Sequence, residues 1–262
     1  MFSLYLECRQ EEKDRLIADL WDRGSSGITE SDLPTGACSL RAFFEGDIES
    51  SALVDEFAAW AARSEPEVPR DWEVEAQAKL QPMCVGARFF LVPDWRDDPT
   101  PPGRFRIAVN PGMAFGTGAH ESTQLCLEAL ERELQPGMAV LDVGSGSGIL
   151  SVAAHRLGAR RAISCDIDPV AVALAKQPLA FIGTADAIRS RSMDLAVANI
   201  SPEAIISLAP ELIRVLRPGG LTIASGFEMS EAAAVQAELE NHGARVRSSH
   251  TKGSWRALVA LV

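Results

Sequence analysis

Short strands and single amphipathic helices alternate over residues 1–78. Period-two alternation predicts strands, and apolar residues three or four positions apart predict helices. The predicted strands are Ser3–Cys8, a segment around Ile28, Ser39–Phe44, and the segment that contains Trp72, Val74 and Ala76. The predicted helices are one that buries Leu16, Ile17, Leu20 and Trp21 and ends at Gly24, and Ile48–Arg63, which buries Leu53, Phe57 and Trp60. This βαββαβ order predicts a small ferredoxin-like α+β domain, with two helices on one antiparallel sheet.

Residues 105–262 show a different pattern, in which longer apolar strands alternate with helices. The predicted strands are Ala139–Val143, Ala162–Cys165, Leu179–Ile182, Leu195–Ala198 and Leu221–Ala224. The predicted helices are Glu121–Leu134, Ile149–Leu157, Pro169–Lys176, Pro202–Leu216 and Ser230–His242. Such strands predict a parallel sheet covered on both faces, which is a Rossmann-like α/β fold. Val246–Ser249 and Trp255–Val262 are separated by a short turn, which predicts a terminal antiparallel hairpin.

Residues 79–104 are predicted to be a linker between these two domains, with one strand at Arg88–Val92. Four prolines and a glycine keep the rest of this segment out of regular structure. They are Pro93, Pro99, Pro101, Pro102 and Gly103. The predicted organisation is therefore a first domain over residues 1–78, a linker, and a second domain over residues 105–262.

Composition and charge narrow the classes of function. The chain is 47% apolar and 23% charged, which excludes wholesale disorder. It carries 25 lysines and arginines against 36 aspartates and glutamates, a net charge of −11. Direct binding of nucleic acid is not expected, since that affinity comes from cations that neutralise phosphates. A small molecule or a basic macromolecule fits this charge better.

The cysteines and the amino terminus predict a soluble, cytoplasmic protein. The five cysteines are scattered, odd in number and never in a Cys-x-x-Cys pair, so we expect reduced thiols and neither disulfides nor a zinc site. Met1–Leu6 is followed at once by charged residues, which is not typical of a signal peptide. No apolar run approaches the ~20 residues that cross a bilayer, and no membrane partner is expected.

A glycine-rich loop follows the first strand of the second domain. Val140–Val143 leads into Gly144, Gly146 and Gly148 at alternate positions. Glycines there let the backbone approach a ligand, and the next helix directs free N–H groups to the same place. The G-x-G-x-G spacing differs from the G-x-G-x-x-G of dinucleotide folds and suits a nucleoside without a pyrophosphate. A tight turn with no ligand is the alternative interpretation.

Carboxylates follow the second and third strands of this domain. Asp166 ends the second strand, where a carboxylate can accept hydrogen bonds from both ribose hydroxyls. Asp168, just before Pro169, is predicted to cap the next helix. Asp186 follows the third strand and is either an adenine ligand or a solvated loop residue.

Two further segments carry candidate chemistry. The loop from Asn110 to Thr123 combines three glycines with Phe115 and His120, which predicts a loop that folds over a ligand. Asn199 follows the fourth strand, at the edge where parallel sheets carry their sites. Its carbonyl oxygen can accept a hydrogen bond from an amine, although helix capping is an equal alternative.

These residues resemble the PrmA family, the methyltransferases of large-subunit ribosomal protein eleven. The matching segments are Pro82–Trp95, Pro111–Thr123, Leu141–Leu150, Asp166-Ile167-Asp168-Pro169 and Asn199-Ile200. The segment Ala-Phe-Gly-Thr-Gly-x-His-x-x-Thr is highly specific to this group and its close relatives. The resemblance implies a seven-stranded class I methyltransferase domain that binds S-adenosylmethionine, and a first domain that recruits a basic ribosomal protein.

The resemblance also assigns a site and a reaction. The predicted cofactor-binding residues are Phe115, Gly116, Thr117, Thr123, Gly144, Gly146, Asp166, Asp186 and Asn199. The implied acceptors are lysine ε-amines and an N-terminal α-amine. In the predicted catalytic pair, Asn199 orients the amine, and His120 either accepts its proton or holds the loop. The chain departs from the family pattern by a shorter stretch between Asp166 and Asn199, by Ser122, and by Ser201-Pro202.

Two alternatives remain open at this point. The same chemistry could modify another protein lysine or a small amine, and a short Asp166–Asn199 stretch could belong to a cofactor-binding module without turnover. A nicotinamide dehydrogenase is disfavoured by the glycine spacing and by the terminal antiparallel hairpin.

Overall fold

The computed structural model describes residues 1–33, 36–46, 48–66, 80–110, 118–175 and 177–262. The chain divides into two compact units, Met1–Lys79 and Leu80–Val262. Among the helices within the described ranges, none combines the length and the apolar character needed to cross a bilayer.

The first unit has the element order expected from its sequence. Its strands are β1 (Phe2–Cys8), β2 (Ser25–Asp32), β3 (Cys38–Phe44) and β4 (Arg63–Pro66), and its helices are α1 (Gln10–Asp22) and α2 (Ser50–Glu56), with a 3-10 turn at Ala58–Trp60. The sheet order is β2-β3-β1-β4, and every neighbouring pair is antiparallel. Leu4, Leu16 and Phe44 are fully buried in the core of this unit. The ferredoxin-like order is therefore confirmed.

Three details of the first unit differ from the predictions. The second helix ends at Glu56 and is followed by the 3-10 turn, whose C-cap Ala61 has a left-handed φ of +52°, and β4 begins at Arg63. Trp21, expected to be buried, is 51% exposed. The four residues of β4 are all exposed and show no alternation that a sequence pattern could detect. The strand expected at Trp72–Ala76 lies outside the described residues.

The second unit is built on a seven-stranded sheet with the order β10-β9-β8-β11-β12-β14-β13. Its strands are β8 (Ala139–Val143), β9 (Arg161–Asp166), β10 (Ala180–Ile182), β11 (Met193–Asn199), β12 (Leu216–Glu228), β13 (Arg245–Lys252) and β14 (Trp255–Leu261). Its helices are α3 (Glu121–Glu133), α4 (Ile149–Arg156), α5 (Pro169–Ala175), α6 (Pro202–Arg214) and α7 (Ala232–Asn241). Strands β8 to β12 are mutually parallel, and β14 pairs antiparallel with both β12 and β13. The predicted parallel sheet and hairpin are confirmed.

Helices cover both faces of this sheet. One apolar cluster contains side chains of α3 and α4 together with alternate strand residues such as Val140 and Val197. The other contains side chains of α6 and α7 together with the intervening residues Leu141 and Ala198. Because the parallel strands are buried on both sides, polar groups can gather only at the strand ends. The carboxyl ends of β8, β9 and β11 meet at one edge and form the site described below.

The segment expected to be a linker carries more structure than its prolines indicate. Strands β5 (Met83–Val85), β6 (Phe89–Pro93) and β7 (Phe105–Val109) form a separate three-stranded sheet. The strand predicted at Arg88–Val92 is thus confirmed with a shift of one residue. Phe89, Leu91 and Ile107 are buried in the same apolar cluster as α3 and α4, so this small sheet belongs to the second unit.

Candidate functional site

The glycine loop after β8 has a backbone that requires glycine. Gly144, Gly146 and Gly148 have φ values of +68°, +52° and +76°, a region that other residues rarely adopt. The N–H groups of Gly144 and Ser145 donate to the carbonyl oxygen of Cys165 at the end of β9, at 2.8 and 3.1 Å. The loop is therefore fixed to the neighbouring strand and leads directly into the amino terminus of α4.

A cavity of about 510 Å³ lies at the carboxyl ends of these strands. It is lined by His120, Ser122, Val143, Gly144, Ser145, Gly146, Ile149, Leu150, Asp166, Ile167, Gly183, Thr184, Asn199, Ile200, Ser201, Ala204, Leu208, Gly226 and Trp255. The lining is mostly apolar with a few polar groups, and the volume is typical of a small-molecule site. Five of the predicted site residues, His120, Gly144, Gly146, Asp166 and Asn199, are brought together there.

The Asp166 carboxylate is held at the edge of the cavity by two backbone donors. Gly146 N–H donates to Oδ2 at 2.9 Å, and Asp168 N–H donates to Oδ1 at 3.0 Å. A carboxylate oxygen accepts more than one hydrogen bond, so both oxygens can also accept from hydroxyl groups of a ligand. Asp168 itself accepts from Val170 N–H at 2.8 Å, which is the helix-capping role predicted for it.

Asn199 presents a buried acceptor that has no hydrogen-bond partner within the described part of the chain. Its Nδ2 donates to Thr123 Oγ1 at 3.1 Å, and Thr123 is 1% exposed. This bond fixes the orientation of the amide and leaves Oδ1 unpaired. An unsatisfied buried acceptor costs about 1–3 kcal/mol, so an acceptor of this kind in a residue that lines a ligand-sized cavity is a candidate partner for a donor group of a ligand.

His120 lies at the start of α3 and contacts Trp255. Its Nδ1 accepts from Ser122 N–H at 3.3 Å and lies 2.8 Å from Ser122 Oγ. Because Nδ1 accepts these bonds, the neutral ring carries its proton on Nε2. The ring meets Trp255 edge-on, with 4.4 Å between centroids. This geometry favours the loop-holding role of His120 over proton acceptance.

A fully buried carboxyl group, Asp142, lies beneath the glycine loop. Its Oδ2 accepts from Ser151 N–H at 3.0 Å and from Ser151 Oγ at 2.8 Å, whereas Oδ1 has no partner in the described residues. Burial raises the pKa of Asp142 to about 7. Burial likewise raises the pKa of the nearby Cys165 thiol to about 12, so this cysteine is not a thiolate nucleophile at neutral pH.

The other predicted site residues do not line the cavity or lie outside the described residues. Asp186 is exposed and does not line the cavity, and the hydroxyl of Thr184 donates to its carboxylate and lowers its pKa. Thr184 and the adjacent Gly183 line the cavity in its place. Thr123 lies behind Asn199 rather than on the lining. Phe115, Gly116 and Thr117 lie outside the described residues.

Several lining residues could not be found from local patterns. Trp255 reaches the cavity because Glu228, at the end of β12, pairs with it across the antiparallel hairpin. Ser145 is 6% exposed, and its hydroxyl has no partner within the described residues. Ser145 could have been found from its position inside the glycine loop, whereas no signal in the sequence connects Trp255 with His120.

Comparison with known proteins gives consistent matches. The model of the family described as ribosomal protein L11 methyltransferase (PrmA) matches residues 29–261. A ribosomal protein L11 methyltransferase from Pelobacter propionicus is 34% identical over 286 residues, covering 94% of this chain and 92% of that protein. One from Pseudomonas aeruginosa is 37% identical over 240 residues, covering 84% and 81%. The crystal structure of a ribosomal protein L11 methylase from Lactobacillus delbrueckii subsp. bulgaricus superposes with a TM-score of 0.65 at 29% identity, covering 69% of this chain and 98% of that one.

Proposed function

Because the chain belongs to the ribosomal protein L11 methyltransferase (PrmA) family, we propose that it methylates lysine ε-amines and the N-terminal α-amine of ribosomal protein L11. S-adenosylmethionine is the methyl donor. The observation that carries the assignment of the acceptor site is the buried Oδ1 of Asn199, a residue of the cavity lining, which has no hydrogen-bond partner among the described residues. The acceptor amine would donate a hydrogen bond to this oxygen.

The described residues fit S-adenosylmethionine. Gly144 and Gly146 line the cavity with backbone only, and these glycines precede the amino terminus of α4, where N–H groups point towards a bound ligand. Asp166 would accept from the ribose hydroxyls, and the hydroxyl of Ser145, which has no partner among the described residues, would be available to a polar group of the cofactor. When bound, the cofactor supplies an electrophilic methyl carbon next to a positively charged sulfur.

The residues of the chain would orient the acceptor amine and exclude water from it. A lysine has a reference pKa of about 10.4 and must lose a proton before its nitrogen can attack. The apolar lining, including Ile200, Ala204 and Leu208, favours the neutral amine. Asn199 Oδ1 would accept one N–H and so direct the nitrogen lone pair towards the methyl group. With the amine so held, the cofactor would supply its methyl carbon to the nitrogen and keep the sulfur as a neutral thioether, and the proton left on the methylated nitrogen would pass to solvent when the product leaves the cavity.

Exposed carboxylates beside the cavity support a basic protein substrate. Glu121, Asp168, Glu203 and Glu228 are all exposed, and each is adjacent in sequence or pairing to a lining residue. Carboxylates at the entrance attract a cationic peptide and raise the rate of encounter. A ribosomal substrate supports a cytoplasmic location for the reaction, and the free thiols of the described cysteines agree with that compartment.

The direct test is methylation of free ribosomal protein L11 by the purified chain with S-adenosylmethionine, followed by intact-mass analysis. We expect mass gains in steps of one methyl group, and digestion then locates the modified amines. Modification of a different protein or of a small amine, with L11 unchanged, would contradict the proposed substrate. Tight cofactor binding without any acceptor would contradict catalysis.

Asp166→Ala is expected to weaken binding of S-adenosylmethionine by about 1–3 kcal/mol, because charge-assisted hydrogen bonds to the ribose are lost. Calorimetry measures the change in Kd. Asp168→Ala is the matched control, since it removes a neighbouring carboxylate that caps α5 and does not line the cavity. Equal weakening in both variants would mean that a disturbed loop, rather than a lost ribose contact, caused the effect.

We also propose that residues 1–79 recruit the protein substrate. This unit has its own buried core, separate from the cofactor cavity. The chain shortened to residues 80–262 is expected to bind S-adenosylmethionine with an unchanged Kd. Its kcat/KM for methylation of L11 is expected to fall about tenfold or more, which corresponds to a loss of about 1.4 kcal/mol or more of binding free energy. Equal kcat/KM for the shortened and the full chain would refute recruitment.

A further inference from the structure

Ile200, the residue after Asn199, lies between two glycines from different parts of the chain. A Cβ atom placed on Gly144 would overlap Cγ2 of Ile200. A Cβ atom placed on Gly226 would overlap the carbonyl oxygen of Ile200 and would lie 2.8 Å from its nitrogen. The two contacts are different in kind, because Gly144 meets the side chain of Ile200 and Gly226 meets its backbone.

The contact with Gly226 depends on an irregularity in β12. Asn199 pairs with Ser225 in parallel register, and Ile200 N–H donates to the Ser225 carbonyl oxygen at 3.1 Å. The register between β12 and β14 shifts between Ser225 and Phe227, which places Gly226 in a bulge with φ +98°. Glycine bulges permit close backbone approach, and here the backbone that approaches is that of Ile200.

The contact with Gly144 connects Ile200 to the cofactor loop. Gly144 is the first glycine of that loop, and its N–H donates to the Cys165 carbonyl oxygen at 2.8 Å. The loop therefore cannot move towards Ile200 without overlap, and Ile200 cannot move towards β12 because of Gly226. Asn199 precedes Ile200 and is hydrogen-bonded to Thr123, so its movement is restricted as well.

We propose that Ile200 is a positioning residue that sets the distance between the cofactor loop at Gly144 and the acceptor oxygen of Asn199. The proposal rests on the proposed role of Asn199 in orienting the amine. Methyl transfer requires the nitrogen and the methyl carbon to be aligned, and a misplacement of about 1 Å can cost about 100-fold in rate. A residue in contact with both partners can supply this alignment without touching either reacting atom.

Because Gly144 meets the side chain of Ile200 and Gly226 meets its backbone, substitutions at each glycine combined with Ile200→Ala test the proposal. Gly144→Ala introduces an overlap with a side-chain methyl group, and Ile200→Ala removes that group and leaves its own Cβ at 3.6 Å, an ordinary contact. We therefore expect Gly144→Ala to raise the Kd for S-adenosylmethionine about tenfold, and Ile200→Ala to recover the part of this loss that the overlap causes, whereas the part caused by the backbone strain at φ +68° remains.

Gly226→Ala is expected to respond differently, because its overlap is with backbone atoms that no substitution at Ile200 removes. We expect the single-turnover rate of methyl transfer to fall about tenfold or more. The Kd for S-adenosylmethionine should change less than the transfer rate does, and adding Ile200→Ala should restore neither quantity. Ile200→Ala alone should lower the same rate about tenfold, because the side-chain contact that separates Asn199 from the cofactor loop at Gly144 is lost.

Gly219→Ala controls for backbone strain, since Gly219 also has a positive φ (+78°) but a Cβ there meets nothing within 4 Å. Circular dichroism and thermal melts check that each variant folds. If Gly226→Ala does not fold, the transfer rate of Ile200→Ala still tests the proposal. The proposal is overturned if Ile200→Ala fails to rescue Gly144→Ala, or if its transfer rate equals that of the wild type. The Kd cycle requires no methyl acceptor, so it can be measured even if the proposed substrate is wrong.

Discussion

Asn199→Ala is expected to lower kcat for methylation of ribosomal protein L11 about 100-fold, because the amine loses the group that orients its lone pair. The Kd for S-adenosylmethionine should change far less, since the glycine loop and Asp166 are untouched. The effect should be on kcat more than on KM, because an orienting contact matters most when the bond forms. Single-turnover kinetics together with calorimetry separate the two quantities.

The hydrogen bond from Asn199 to Thr123 provides matched controls for this prediction. Thr123→Val keeps the shape of the side chain but removes the acceptor of the Asn199 Nδ2 bond, so the amide can rotate and activity should fall. Thr123→Ser keeps the hydroxyl and should retain most of the activity. If Asn199→Ala leaves both turnover and cofactor binding unchanged, Asn199 is only a turn residue.

Asp142→Asn is expected to remove a pH-dependent part of the stability. Burial raises the pKa of Asp142 to about 7, so between about pH 4 and pH 7 the folded protein retains a proton that the unfolded chain has released. The free energy of unfolding therefore falls as the pH rises through this range, and the loss is complete above it. A shift of about three pKa units corresponds to on the order of 4 kcal/mol.

Asp142→Asn has a neutral side chain of the same shape at every pH. Its free energy of unfolding should therefore lack the decrease between about pH 4 and pH 7 that Asp142 causes. The measurement is urea unfolding of the wild type and Asp142→Asn at pH 5, 6, 7 and 8. The result is the difference between their free energies of unfolding at each pH. Thr222→Val is the matched control, because it changes a fully buried polar side chain on the same sheet without altering any ionisable group. A difference between wild type and Asp142→Asn that is equal at pH 5 and pH 8 would show that burial does not hold a proton on this carboxyl.

The location of Asp142 also bears on cofactor binding. Its hydrogen bonds to Ser151 fix the first turn of α4, and its strand neighbour Val143 leads into Gly144. Measuring the Kd for S-adenosylmethionine in the asparagine variant therefore tells whether the buried carboxyl supports only the fold or also the loop.

Local patterns in the sequence determined the elements of the second unit and the identity of its family. The apolar runs of β8, β9 and β11 and the helices between them are encoded by spacing within each segment, which the printed sequence shows directly. The glycines at 144, 146 and 148 are likewise a local requirement, because each has a positive φ. The segment from Ala114 to Thr123 identified the family, although residues 111–117 lie outside the described structure.

Only the tertiary structure decided which of these residues work together. The hydrogen bond between Asn199 and Thr123 joins positions 76 apart, and it shows that the amide nitrogen is paired whereas Oδ1 has no partner among the described residues. The contact of His120 with Trp255 and the position of Ile200 between Gly144 and Gly226 depend in the same way on how strands pair and helices pack. Sequence spacing specifies the period of each element, whereas contacts between distant segments arise from the packing of the whole chain, which no local pattern contains.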